Sequence, residues 1–281
     1  MDPLEFFLLV AAFSFVAGVL GSFLGLGGGV IIIPLLTLVL GVPPLFAIGA
    51  SIVSVIATSS GAASAFVKEK VTNLRIGMFL ELATTSGAIA GALLTLSLAR
   101  ADLEWVVYTL FGTVLLLSVL PLLRTMHEEL PGPVVPDRIS ERLDLSGDYF
   151  DHNLRTRVSY SATRSPLALA IMYVAGLVSG LLGIGSGVLK VIALDVGMKL
   201  PMKVSSATSN FMIGVTAVAS AGIFYLGGYI DPFIAAPVVL GVVGGSVLGT
   251  RAMMLSSNKT IKRVFIPVIA LLAIEMLMRG L

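Results

Sequence analysis

Residues 16–34 read VAGVLGSFLGLGGGVIIIP, and residues 174–192 read VAGLVSGLLGIGSGVLKVI. Each sets a glycine cluster, Gly25 to Gly29 and Gly183 to Gly187, in the middle of a long apolar run. A hydrocarbon core about 30 Å thick takes roughly 20 apolar residues per helix. These runs, 6–38 and 166–196, are too long for one straight crossing. A helix here is expected to break at the glycines, which supply positive φ and allow close approach to the backbone.

The two stretches are copies of one another. At a shift of 158 residues, Val16-Ala17-Gly18 falls on Val174-Ala175-Gly176 and Leu24-Gly25 on Leu182-Gly183. Gly27, Gly29 and Val30 meet Gly185, Gly187 and Val188. Farther along, Pro43, Ser51, Thr58, Phe66, Gly87 and Gly91 meet Pro201, Ser209, Thr216, Phe224, Gly245 and Gly249. Glycines and prolines coincident at one gapless offset are more than two apolar sequences share by chance. Such internal symmetry marks transporters built from two structural repeats.

Composition agrees with a membrane class. Hydrophobic residues are 57% of the chain, charged residues 12%, and the mean hydropathy is +1.02. A soluble domain carries about twice that charged fraction. The remaining apolar segments are 45–67, 76–98, 104–123, 204–227, 233–255 and 264–279. One extended polar stretch, 124–164, holds 13 of the 34 charged residues and belongs in water. The chain therefore divides into a first transmembrane repeat (1–123), a polar insert (124–164) and a second repeat (165–281). Within the insert, Val158, Tyr160 and Ala162 alternate with Ser159, Ser161 and Thr163. That period of two reads as a small β-hairpin, with a disordered linker as the alternative. The N-terminal Met-Asp-Pro-Leu-Glu lacks the basic region of a cleavable signal and is expected to stay with the first membrane element.

Basic residues collect on the cytoplasmic side of membrane proteins. Here they mark the links at 68–75, 199–203 and 259–263 and the insert, whereas 41–44 and 227–232 have none. All four basic regions fall on one side if each glycine-broken segment returns to the side it entered from. That assumption leaves Arg100 outside, puts both termini outside and the insert in the cytoplasm, and makes the halves antiparallel. The fold class is then an all-α polytopic membrane protein of two inverted-topology repeats, each opening on a broken or re-entrant helix.

Zero cysteines exclude disulfides, thiolate metal sites and iron–sulfur ligation. Both histidines, His127 and His152, lie in the insert, so no span offers an imidazole. No P-loop, hydrolytic triad or carboxylate cluster occurs, so neither enzymatic chemistry nor ATP-driven transport resides in this chain, and no cofactor or metal is implied. The expected partners are a small anion and the lipid bilayer, not nucleic acid.

A helix interrupted within the membrane leaves backbone N–H and C=O groups without intrahelical partners. A half-helix that begins after the break turns its free N–H groups and positive dipole end toward the gap, which suits an anion. Gly27, Gly28 and Gly29, with Gly185, Ser186 and Gly187, are the candidate ligating backbone. Close helix packing is the alternative, and it explains the G-x-x-x-G spacings at Gly87/Gly91 and Gly241/Gly245/Gly249. Ser51, Thr58, Ser209, Asn210 and Thr216 add hydroxyls and an amide on the following segments, at seven-residue spacings that share a helix face. Interhelical bonding or back-bonding to their own helix is the competing role.

Lys190 is the sharpest single residue, because a lone charge at mid-bilayer costs about 2.5–3.5 kcal/mol on insertion scales. Its first-half counterpart is Ile32. It either balances a bound anion or reaches the cytoplasmic edge beside Asp195. Glu81 is a candidate for a coupling proton or for pairing with a basic side chain.

The chain resembles the sulfite exporter TauE/SafE family of membrane permeases. The resemblance rests on Gly18, Gly21, Gly25 and Gly27-Gly28-Gly29 followed by Pro34, on Ala47-x-Gly49-x-Ser51, and on the second glycine cluster with Ala207-Thr208-Ser209-Asn210. It covers nearly everything except 124–164. It implies gradient-driven transport of sulfite, thiosulfate or sulfonates such as sulfoacetate. Gly185-Ser186-Gly187 and the following Lys190 depart from the first cluster. The expected function is a secondary transporter, an exporter, of such an anion by alternating access around a midplane site, with an uncoupled anion channel as the alternative.

Overall fold

The computed structural model describes residues 2–99, 130–132, 134–183 and 185–280, with six isolated positions between 100 and 129. Most of the apolar segment 104–123, and His127, lie outside the described residues. The first half comprises α1 (Pro3–Leu24), α2 (Gly29–Pro34) running into a π-helical turn (Leu35–Val39), α3 (Pro44–Lys68) and α4 (Leu74–Ala99). The insert holds α5 (Arg138–Arg142) and the strands β1 (Ser146–Asp151) and β2 (Thr156–Ser161). The second half comprises α6 (Ser165–Leu182), α7 (Gly187–Ile192) with its π-helical turn (Ala193–Gly197), α8 (Met202–Leu226), α9 (Pro232–Leu255) and α10 (Asn258–Gly280).

Helices α1, α3, α4, α6, α8 and α9 are long and apolar enough to cross a membrane. Their outward faces are apolar, with Leu82 77% and Leu226 87% exposed, as lipid contact requires. Proline in the first turn of α1, α3, α6 and α9 presets φ where no N–H is needed. The carboxylate of Asp231 accepts the Phe233 N–H at 2.8 Å to cap α9.

The element bounds repeat at the shift read from the sequence. Moving α2, its π-helical turn and α3 by 158 residues reproduces the bounds of α7, its turn and α8. Both long runs break where the glycines stand. Gly25 (φ 77°) ends α1 and Gly183 (φ 65°) ends α6, each in the left-handed conformation that closes a helix.

The halves interleave. α1 packs on α9, and α6 on α4, so the first long helix of each half lies against the third long helix of the other. Both contacts are backbone-close. A Cβ on Gly245 or Gly249 would meet the Phe15 or Val19 carbonyl oxygen at 2.0 or 2.2 Å. A Cβ on Gly87 or Gly91 would meet those of Tyr173 or Leu177 at 2.3 or 2.1 Å. These are the same contact, 158 residues apart. The glycine spacings are packing stripes, in line with their reading in the sequence.

Two ends of the molecule differ in chemistry. At one end Phe6 stacks on Phe233, and Phe46 meets Tyr229 edge-on. At the other, the Arg75 guanidinium pairs with Asp144, and the Asn73 amide donates to the Ser146 carbonyl and the Tyr160 hydroxyl. Lys203 pairs with Asp151 at 2.8 Å and Lys262 with Asp195 at 3.2 Å at that same end. Lys259, Lys262 and Arg263, expected in a link, lie within the first turns of α10 instead, because Asn258 already begins that helix.

The insert forms the hairpin, β1 antiparallel to β2 with Tyr149 opposite Val158. Tyr149 and Asp151 face inward and are buried. Asp151 accepts from Lys203 Nζ, from Tyr149 Oη, and from the N–H groups of Asn153 and Leu154. Burial alone would raise its pKa, but these donors outweigh it and hold the carboxyl below 3.8.

Two outcomes follow from this packing. In detergent, Gly180→Ala is expected to destabilise the protein by about 1–3 kcal/mol, because its Cβ would strike the Ala88 carbonyl at 2.0 Å. Gly222→Ala, with open space around it, should leave the thermal unfolding midpoint unchanged or raise it. A carboxyl whose folded pKa is depressed contributes stability above its unfolded pKa, and that stability is lost as pH falls through the folded value. Protection factors of 146–161, corrected for the intrinsic exchange rate, should therefore stay flat from neutral pH down to about 5 and fall only below 3.8. Lys203→Met should cost at least about tenfold in protection already at neutral pH.

Candidate functional site

The two breaks meet each other inside the protein. A Cβ on Gly187 would lie 2.5 Å from the Gly25 carbonyl oxygen and 2.6 Å from the Leu26 Cα. Gly27 and Gly185, both at positive φ, face the same two side chains, Ile213 on α8 and Val55 on α3. Val55 and Ile213 are themselves repeat partners. Reading the sequence for polar groups passed over them, although the offset of 158 pairs them as clearly as it pairs the glycines.

Each half caps the other's broken helix. Ser51 Oγ donates to the Gly183 carbonyl at 2.9 Å, and Ser209 Oγ donates to the Gly25 carbonyl at 3.0 Å. These carbonyls end helices of 18 and 22 residues and would otherwise stand without partners at negative dipole ends. The serine protons are thus committed to carbonyls, while the N-terminal sides of the breaks stay open. Among the described residues, no acceptor takes the N–H of Gly28 or Gly29, and none takes that of Ser186. The Ser186 hydroxyl is also buried without a partner.

Asn210 ties α8 to α1. Its amide donates to the Ser22 and Ser206 carbonyls, its own carbonyl accepts from the Ser59 hydroxyl, and its Oδ1 is buried without a donor. Ser59, Ser206 and Ser22 belong to this junction, which only the packing of α1 on α8 reveals. Thr58 donates back to the Ser54 carbonyl on its own helix and faces the Cα of Gly28.

Thr216, the repeat partner of Thr58, has a different neighbourhood. Its hydroxyl is hydrogen-bonded to Lys190 Nζ and to Glu81 Oε1. Lys190 is fully buried, and Glu81 Oε2 lies 3.7 Å from its ammonium. Three residues chosen separately from the sequence thus form one cluster. Lys190 does not reach the edge beside Asp195; that carboxylate is held by Lys262, and Lys190 turns toward α4 and α8. Thr85, one turn along α4, also donates to Glu81 Oε1 at 3.0 Å. Among the described residues no cluster of His, Cys, Asp or Glu could hold a metal.

Six helices long and apolar enough to cross a membrane, with two helix breaks packed between them, define a multi-pass membrane protein. Residues 10–276 match the model of the sulfite exporter TauE/SafE family, and the chain belongs to that family. The family is one of membrane transporters, not enzymes. The chain is 27% identical to the probable membrane transporter protein YunE of Bacillus subtilis, with 98% of each chain covered. It is 26% identical to the probable membrane transporter protein YdhB of the same organism, over 91% of this chain and 94% of that one. A probable membrane transporter protein of Methanocaldococcus jannaschii is 25% identical over 98% and 97% of the two chains. No solved structure matches at a significant level.

Removing either capping serine should expose a buried carbonyl. Ser51→Ala and Ser209→Ala are each expected to cost about 1–3 kcal/mol in detergent unfolding. Thr58→Val, whose hydroxyl only back-bonds, should cost less than either. Equal losses in all three would show that the carbonyl caps carry no special weight.

Proposed function

We propose that the protein is a secondary transporter of the cell membrane that exports a small sulfur-containing anion: sulfite, thiosulfate or an organosulfonate. The anion is held between the paired breaks and reached alternately from the two sides. The carrying observation is the meeting of two repeat-related breaks whose C-terminal carbonyls are capped while Gly28, Gly29 and Ser186 keep uncommitted N–H groups. Oriented donors in a dry interior suit negative charge. Gly27, Gly185 and Gly187 let the substrate approach the backbone. Ser51 and Ser209 hold the breaks in place through their carbonyl bonds, and Thr58, Asn210 and Thr216 stand on the same two helices around them. Lys190 supplies positive charge, and Glu81 is the coupling group.

Inversion of the repeats is supported by where chain segments touch. Residues 6 and 46 both meet the 229–233 region, so α1 and α2 leave and return at one end. Thr163 N–H donates to the Met198 carbonyl, so α6 and α7 do the same at the end where Arg75, Lys203 and Lys262 gather. The basic end is read as cytoplasmic, with the insert on it and both termini outside. Membrane potential and ion gradients supply the driving force.

Proteoliposomes loaded with labelled sulfite, thiosulfate or sulfoacetate should show saturable efflux that responds to an imposed proton gradient or potential, and empty liposomes none. Saturable flux of other anions with none of these three would overturn the substrate class. Flux of the three that ignores every gradient beyond their own electrochemical potential would make the protein a channel.

A further inference from the structure

We infer that Glu81 and the transported anion compete for the buried ammonium of Lys190, so that a proton enters Glu81 with each anion bound. This deepens the transport reading and rests on it. Lys190 is 0% exposed, and among the described residues its one ion pair is with Glu81. Thr216 bridges them, accepting from Lys190 while its one proton is shared between Glu81 Oε1 and the Met212 carbonyl. Lys190 stands one turn past Ser186, whose carbonyl accepts the Lys190 N–H at 3.1 Å. Helical side chains lean toward the N-terminus of their helix, which turns this long stem back toward the break.

The repeat singles out the pair. At the shift of 158 residues Thr216 falls on Thr58, a threonine retained, but Lys190 falls on Ile32 and Glu81 on Val239. Both charges are therefore missing together from the equivalent positions of the other half, which are apolar. A charge pair needed only to join α4, α7 and α8 would be needed as much by α9, α2 and α3. The break sites are built twice; the charge is installed once.

The other ionisable groups on the packed elements are engaged elsewhere or face outward. On α4, Arg75 pairs with Asp144; on α8, Lys203 pairs with Asp151 and Tyr225 is exposed. On α6, Tyr173 is exposed, and in the turn after α7 Asp195 pairs with Lys262. Glu81 Oε2 accepts no hydrogen bond, which leaves it as the oxygen to protonate. Glu81 also borders a side groove of about 460 Å³ lined by Met78, Leu82, Thr85, Phe211 and Val215, whereas Lys190 is sealed.

Charge balance sets the order of events. With Glu81 ionised the pair is neutral, and an added anion would bury a net negative charge. With Glu81 protonated the ammonium is unbalanced, so a monovalent anion is neutralised and a divalent one leaves one buried negative charge in place of two. Proton and anion then travel in the same direction. For a divalent anion one net negative charge moves per cycle, so an interior-negative potential drives it outward.

The test is calorimetric titration of the purified protein with thiosulfate and with sulfoacetate, both fully ionised at neutral pH, in buffers of different ionisation enthalpy. The wild type should take up about one proton per anion bound. Glu81→Gln should bind at least about tenfold more tightly at neutral pH and take up none, and Lys190→Met should weaken binding at least about tenfold. Binding by the wild type without proton uptake overturns the inference alone, as does equal uptake by Glu81→Gln. Binding of neither anion, nor of sulfite, overturns the reading of the site as one for sulfur anions and this inference with it. If Glu81→Gln does not fold, the wild-type proton number decides.

Discussion

A backbone amide in hydrocarbon must find its partner within the protein, and this chain interrupts two of its membrane helices where no water reaches. The bonds from Ser51 to the Gly183 carbonyl and from Ser209 to the Gly25 carbonyl meet that demand across the two halves. Much of the remaining architecture serves them. Each serine sits on the helix that follows the break of its own half, yet it caps the break of the other. Neither half can satisfy its interruption alone, so the interleaving is a requirement of the breaks and not an accident of packing.

Glycine acts in two distinct ways within that frame. At Gly25, Gly27, Gly183 and Gly185 it supplies left-handed φ so that the chain can turn. At Gly87, Gly91, Gly245 and Gly249 it removes a side chain so that helices meet backbone to backbone. These close contacts bring α1 onto α9 and α6 onto α4, and so carry Glu81 of the first half to Lys190 of the second. Ser186 stands in the left-handed region at φ 47° where its counterpart Gly28 has φ 75°. A side chain there carries some strain, and its hydroxyl lies buried beside the break without a partner.

The hairpin of the insert joins the same system from the basic end. Its Asp151 is buried on Lys203, in the first turn of α8, and Lys203 in turn takes the Asn258 side chain on its N–H. Thus the helix that carries Ser209, Asn210 and Thr216 is anchored at its start by the insert and by α10. Movement of α8 relative to α3 would have to carry or release that anchor.

Length and hydropathy alone determined the membrane class, and the gapless offset of 158 determined that two equivalent helices break at glycines. Both are properties of local backbone preference and of transfer to lipid, which act on short stretches regardless of their neighbours. The period-two pattern at 158–162 likewise revealed the hairpin. Tertiary structure decided who partners whom. Ser51 and Ser209 read as substrate hydroxyls in the sequence but spend their protons on distant carbonyls. Lys190 read as balancing an anion or reaching the edge beside Asp195, and it found Glu81, 109 residues away, because α6 and α8 pack on α4. Such pairings depend on which helices lie side by side. A symmetric, uniformly apolar sequence leaves that open, and only close packing of glycine faces resolves it.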